Sequence, residues 1–200
     1  MADLTEALLR ASRAVSELAD PLAVLDTLLD CVYMLVPTPS ATVLVLASGQ
    51  ATVVAHRGWG EVGDPTGLSF PISGKPHLER VAQGECVLLE DTWEAPGWSR
   101  VERSSHTRAW LGVPLAVDST VYGIYSLDAT EVGFFAPTDV AKVQALAAHG
   151  AVVMQTARLS KSCGPRAVKP NKPVAPSPSS WPPRAMSSGP RSMPSWATAR

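Results

Sequence analysis

The sequence predicts an α+β fold with the element order α-α-β-β-β-α-β-loop-β-β-α. Three observations carry this reading. Helical periodicity occupies the two ends of the folded part, residues 4–36 and 137–159. Runs rich in β-branched residues, paired across short turns, occupy 41–57 and 107–129. Between them lie a short helical segment and a loop of about fifteen residues from 91 to 105. Helices gathered around paired strands are the pattern of an α+β domain.

In chain order, Leu4, Leu8, Ala11, Val15 and Leu18 recur at spacings of four and three, a narrow stripe suited to meeting another helix. Asp20-Pro21 is a helix start: the carboxylate accepts from free backbone N–H groups, and proline in the first turn leaves none unpaired. The helix that follows, to about Val36, is apolar on most sides and is expected to lie against the sheet. Residues 41–47 and 51–57 are β-branched strands joined by Ser48-Gly49-Gln50, a hairpin. Short strands are expected at 67–72 and 86–90, flanking a helix from about Lys75 to Gln83 that Gly84 stops. The loop from Asp91 to Ser105 contains Trp93, Pro96, Gly97 and Trp98. A loop of that length in a compact domain is functional or mobile. A second hairpin, 107–117 and 121–129, precedes a last helix starting near Pro137 that is apolar almost all round. One face of it covers the sheet, and the remainder asks for another partner.

Length and charge bound the possible functions. Two hundred residues suit one domain, 1–160, plus an appendage, 161–200. A folded part of roughly 160 residues buries about 70% of its unfolded surface, enough for a core. Residues 161–200 hold seven of the seventeen Lys and Arg and no acid, which leaves ten basic residues against eighteen acidic ones in 1–160. An acidic domain argues against a nucleic-acid surface. Nine of the eighteen prolines also fall in 161–200, a basic Pro/Ser-rich composition expected to be disordered. No long uncharged apolar run is present, and the acidic, amphipathic N-terminus is unlike a signal peptide, so a cytoplasmic protein without a membrane span is expected. Cys31, Cys86 and Cys163 are odd in number and widely spaced, which fits reduced thiols and neither a disulfide framework nor a zinc knuckle.

Chemical motifs fail on context. Gly58 to Gly63 matches G-x-G-x-x-G, but Asp64-Pro65-Thr66-Gly67 follows where a helix N-terminus would receive a pyrophosphate. His77-x-Glu79 is half of a zinc deaminase signature without its Pro-Cys-x-x-Cys, and reads as a surface His beside a helical Glu. No G-x-S-x-G and no P-loop occur. No enzyme is expected, and no metal site.

The wording WLGVPL, then GIYSLD, then Phe135-x3-Asp139, then ALAAHGAVVMQTARL resembles the C-terminal half of a GAF domain of the bacterial sensor-kinase type. VLLEDTWEAPGW resembles the strand, Asp, turn and Trp that precede it in that family. The resemblance covers about residues 5–160. It implies a GAF/PAS-like fold: a central mixed antiparallel sheet of five to six strands, the N- and C-terminal helices packed on one face, and a ligand pocket on the other, roofed by the short helix and the long loop. It further implies a regulatory sensory module of a signal-transduction system that binds a small molecule, forms a homodimer through helix 1 and the last helix, and acts on an effector protein.

Within the family, covalent bilin needs a Cys in the region that here reads Val101-Glu102-Arg103-Ser104-Ser105-His106, and none is present. Cyclic-nucleotide binding calls for Asn-Lys where this chain has Asp128-Ala129, and Glu where it has Val140. A sulfoxide reductase of this fold needs several pocket cysteines, and Cys86 alone can neither attack and resolve nor form a disulfide. Haem stays open, with His106 as axial ligand six residues before Gly112. Candidate ligand-binding residues are Phe70, His77, Leu88, Asp91, Trp98, His106, Trp110 and Tyr125. Aromatic side chains among them offer flat area to an apolar ligand, or equally fill the core under the loop. Strand alternation separates Trp110, Gly112 and Pro114 from Leu111, Val113, Leu115 and Val117 without saying which set faces the pocket. The alternative is a ligand-free interaction or dimerisation module.

Overall fold

A computed structural model describes residues 3–17, 20–59, 63–98 and 106–162, with side chains through Thr156. The expected disorder of 161–200, the role of Leu18 in the first helix stripe and Cys163 fall outside these residues, apart from the helical backbone of 161 and 162. Ten elements follow the predicted order: α1 (Leu4–Glu17), α2 (Pro21–Leu35), β1 (Ser40–Ala47), β2 (Gln50–Arg57), β3 (Ser69–Pro71), α3 (Pro76–Ala82), β4 (Val87–Leu89), β5 (Ala109–Val117), β6 (Thr120–Ala129) and α4 (Pro137–Ser162). The strands form one six-stranded sheet in the order β3-β2-β1-β6-β5-β4, and every neighbouring pair is antiparallel. The fold class expected from sequence is the fold observed.

Local chemistry explains the boundaries. The Asp20 carboxylate accepts from Leu22 N–H at 3.0 Å, capping α2 where Pro21 begins it. The β1–β2 turn is only two residues, because Gln50 already pairs with Ala47. Ser48 and Gly49 both take positive φ, 51° and 74°, which matches the right-handed twist of the flanking strands. Pro114 is tolerated inside β5 because β4 ends opposite Gly112, so the proline lies beyond the partner strand. α4 continues through Ser162, past the break expected at Ser160.

Alternation divides the core into two layers. Ala41, Val43, Leu111, Val113, Leu115, Tyr125 and Leu127 face α1, α2 and α4. Leu44, Leu46, Val53, Trp110 and Ile124 face the other way, towards Leu78 and Val81 of α3. Leu28, Leu29, Leu111, Leu115, Leu127 and Leu146 are fully buried. Each such side chain contributes about 1.5–3 kcal/mol of burial free energy. α1 meets α2 and α4 mainly through Ala7, Ala11 and Ala14, whose small side chains let the helices approach closely, with Leu8 and Val15 packed at the margin. Leu4 and Leu9 point outward. A partly solvated ion cluster clips α2 to β2: Arg57 Nε donates to Asp30 Oδ1 at 2.6 Å, and its Nη groups donate to Asp26 at 2.8 and 2.9 Å.

Candidate functional site

The sheet face away from α1, α2 and α4 carries the candidate site. Cross-strand register places two polar rows there. His56, Thr42, Ser126 and Gly112 stand side by side on β2, β1, β6 and β5. Ser40, Asp128 and Trp110 form the next row. Thr42, Ser40 and Ser126 are buried, whereas the opposite face of the same strands is almost wholly apolar. A sheet buries hydroxyls at its centre only where each gains a partner or serves a ligand.

Trp110 accounts for part of this. Its indole folds back over Gly112, where a Cβ would lie 2.2 Å from the ring, and Nε1 donates to Ser126 Oγ at 2.8 Å. Glycine at 112 is therefore the space that the indole occupies. Above it, His77 of α3 and Trp98 of the loop complete an aromatic trio: ring centroids lie 4.9 Å apart for His77–Trp98, 5.1 Å for His77–Trp110 and 6.0 Å for Trp98–Trp110. Gly97, at φ 72°, permits the loop to rest on Pro76, which a Cβ at 97 would meet at 2.5 Å. His77 is 7% exposed, and burial lowers its pKa to about 4, so the imidazole is neutral. The expectation of a surface His beside a helical Glu is corrected here: the α3 register turns His77 inward, and Glu79 instead accepts from Gly74 N–H at 2.8 Å.

Three side chains on this face hold a buried ring nitrogen with no hydrogen-bond partner: His56 Nδ1, His77 Nδ1 and Trp98 Nε1. Trp59, just past the end of β2, holds a fourth. His56 uses its other nitrogen on Asp64 Oδ1 at 3.1 Å. Buried donors and acceptors left unmade cost on the order of 1–3 kcal/mol each. Such groups, concentrated on one face, are what a bound polar molecule would satisfy.

The structure sorts the sequence candidates. It brings together His77, Trp98 and Trp110, and puts Phe70 on the same face at the β3 edge. Leu88 and Tyr125 lie on the opposite face, packed against the helical layer, because alternation turns them away from Trp110. They line no site shared with it. Asp91 belongs to a clamp at the loop base: it accepts from Trp93 N–H at 2.9 Å and pairs with Arg108 at 2.6 Å, while the guanidinium covers Trp93 at 4.0 Å. Thr92 Oγ1 donates to Thr107 O at 2.6 Å beside it. His106 is exposed and outside the aromatic trio, and residues 101–105, read above for bilin attachment, lie outside the described residues. Phe135 is buried under the helical layer and Asp139 accepts from Ala136 N–H at 3.0 Å, so the F-x3-D wording starts α4. Sequence reasoning missed Ser40, Thr42 and His56, which lie on strands paired only in three dimensions, and met Asp128 only as a departure from the cyclic-nucleotide wording.

Among the described residues no group of three or more His, Cys, Asp or Glu is placed to hold a metal, and no helix is long and apolar enough to cross a membrane. Cys31 and Cys86 are unbonded, and burial raises both thiols, which disfavours thiolate chemistry. Residues 63–67, which follow the glycine-rich stretch, open no helix.

Solved structures of the same fold are numerous. The chain is similar to the GAF domain of a phosphoenolpyruvate-protein phosphotransferase from Coxiella burnetii, with TM-score 0.69, 17% identity, and 80% of this chain and 96% of that one covered. It is also similar to free methionine-R-sulfoxide reductase from Neisseria meningitidis, solved in complex with its substrate, with TM-score 0.66, 18% identity, and 80% and 95% covered. The phycoerythrobilin-bound GAF domain from a cyanobacterial phytochrome gives TM-score 0.66, 13% identity, and 80% and 99% covered. No curated protein matches the sequence. The family model for the GAF domain matches residues 20–154. From α2 to the middle of α4, with the sheet between, this chain belongs to the GAF domain family.

Proposed function

We propose that this GAF domain is a regulatory sensory module of a bacterial signal-transduction system, of the kind coupled to histidine kinases in two-component pathways. It works in the cytoplasm and catalyses no reaction itself. A small molecule binds on the sheet face lined by His56, Ser40, Thr42, Ser126, Asp128 and the aromatic trio. The observation that carries this reading is the set of unpaired buried nitrogens on that face, on His56, His77 and Trp98. A ligand that satisfies them gains the hydrogen bonds that the fold leaves unmade.

The signal leaves through the helical layer. α4 packs on the sheet side opposite the ligand face, and Gly123 and Gly150 bring it into contact: a Cβ at 123 would lie 2.5 Å from Met154 Sδ, and one at 150 would lie 2.8 Å from the Tyr125 hydroxyl. A change of sheet curvature on one side is thus felt by α4 on the other, and through α4 by a second copy and an effector. Interfaces this close convert small shifts into repacking because packed cores do not deform continuously.

A second reading, a ligand-free interaction module, draws support from Leu9, Leu22 and Val152, which are 58%, 55% and 46% exposed on the three helices of that layer. Native mass spectrometry of the full chain purified without added ligand separates the two. A dimer carrying a small-molecule mass increment is expected. A dimer at the bare sequence mass favours the interaction module, and a bare monomer overturns both.

A further inference from the structure

Among the described residues, the central rows of the ligand face hold one carboxylate, Asp128, that pairs with no cation. We propose that it takes a small primary ammonium compound with an apolar body, the cation held at Asp128 and the body laid against the aromatic trio. This rests on the sensory reading of the same face and names the class of molecule sensed.

Asp128 stands in register between Ser40 of β1 and Trp110 of β5. Its side chain is partly exposed, and so within reach of a ligand. Among the described residues the side chain that hydrogen-bonds its carboxylate is Ser40, whose Oγ donates to Oδ2 at 3.4 Å, a long contact. Several half-buried or loop carboxylates around the sheet have cations: Asp26 and Asp30 have Arg57, Asp91 has Arg108, Asp139 has Lys142, and Asp64 has His56 when protonated. Asp128, set in the middle of a polar row, pairs with no cation among the described residues. Burial pushes its carboxyl up to about 7, opposed only by the Ser40 hydrogen bond.

The surrounding chemistry narrows the cation. No Lys or Arg stands in the two polar rows, and Lys75, which acts on His77 from the start of α3, is the cation of the opposite, aromatic end, so an anionic group in the rows would meet the Asp128 charge. A bare metal ion would need several hard donors, and no such group exists among the described residues. A primary ammonium has three N–H donors, which Asp128 and the hydroxyls of Ser40 and Ser126 can accept. Trp98, partly exposed over the buried Trp110 and the buried, neutral His77, then provides an apolar, electron-rich surface for the remainder of the molecule.

The test uses three probes of one shape and different charge, 2-phenylethylamine, 2-phenylethanol and phenylacetate, titrated into the full chain about one pH unit above the Asp128 value. Tryptophan fluorescence and calorimetry read the binding. The amine is expected to bind at least about tenfold more tightly than the alcohol, and phenylacetate most weakly. Asp128→Asn is expected to bring the amine to the affinity of the alcohol without changing the alcohol. Equal binding of amine and alcohol, tightest binding of phenylacetate, or an amine preference that survives Asp128→Asn overturns the assignment. In any of these cases saturable binding still supports a small-molecule face, so only the charge assignment fails. If none of the probes saturates, the sensory reading falls with it.

Discussion

Gly112 and Asp128 show how much a single position decides. At Gly112 the missing Cβ is filled by the Trp110 indole, and an added methyl would overlap it at 2.2 Å. Gly112→Ala is expected to expel the indole, break its bond to Ser126, and cost about 1–3 kcal/mol. Urea denaturation gives the loss, and a red-shifted tryptophan emission locates it. Asp128 and His77 titrate in opposite senses. The folded state raises Asp128 from 3.8 to about 7, so its protonated form is favoured and stability falls as pH rises from about 4 to 7. It lowers His77 from 6.5 to about 4, so stability falls as pH drops through that window. The two largely cancel in the parent chain. Asp128→Asn removes the first and leaves the second, so the variant is expected to gain stability with rising pH between about 4 and 6.5, more steeply than the parent. Equal slopes in thermal melts across that range would contradict the Asp128 assignment.

Elements are joined by contacts that no single element specifies. Tyr125 sends its hydroxyl from β6 into the α4 contact, where it is fully buried, unpaired and pushed far above the usual phenol range. Tyr125→Phe keeps the ring and removes an unmade hydrogen bond. It is expected to be neutral or to stabilise by about 1 kcal/mol, as chemical denaturation would show, and a loss above that would mean the hydroxyl has a partner. Arg57 ties β2 to two acids one turn apart on α2. Its hydrogen bond is the main cause that holds Asp26 below the ordinary carboxylate value, so this contribution is present above that value and lost as acid protonates Asp26. Arg57→Leu is expected to destabilise by about 1–2 kcal/mol near neutral pH, the pairs being partly solvated, with the difference from the parent shrinking below about pH 3. A pH-independent difference would assign the loss to packing.

For the whole molecule the unanswered demand is the outer surface of the helical layer. Leu9 of α1, Leu22 of α2 and Val152 of α4 are exposed, although the same helices bury most of their other described large apolar side chains. The full chain is expected to be a dimer at micromolar concentration. Leu9→Glu is expected to shift it to monomer while leaving the unfolding free energy measured on dilute protein within about the 0.5 kcal/mol typical of surface substitutions. Light scattering that finds the parent monomeric, or the variant still dimeric, removes Leu9 from any interface.

By itself the sequence determined what depends on near neighbours. Asp20-Pro21 started α2, Ser48-Gly49 closed a hairpin, and period-two runs marked β1, β2, β5 and β6, because capping and turn geometry are settled within a few residues. Periodicity gave the whole element order, and the family wording implied a ligand pocket on the sheet face opposite the terminal helices. Only the tertiary structure decided which face that was. Alternation is symmetric, so it separates Trp110 from Leu111 and Tyr125 from Ser126 without choosing between the two sides, and the side of Leu88 and Tyr125 stayed open until the layers were packed. Ser40 and Asp128 are 88 residues apart in the chain, and His56 meets Thr42 only across a register that a bulge at Val43/Leu44 shifts. Pairings of that range are fixed by the packing of two layers on one sheet, which no local pattern contains.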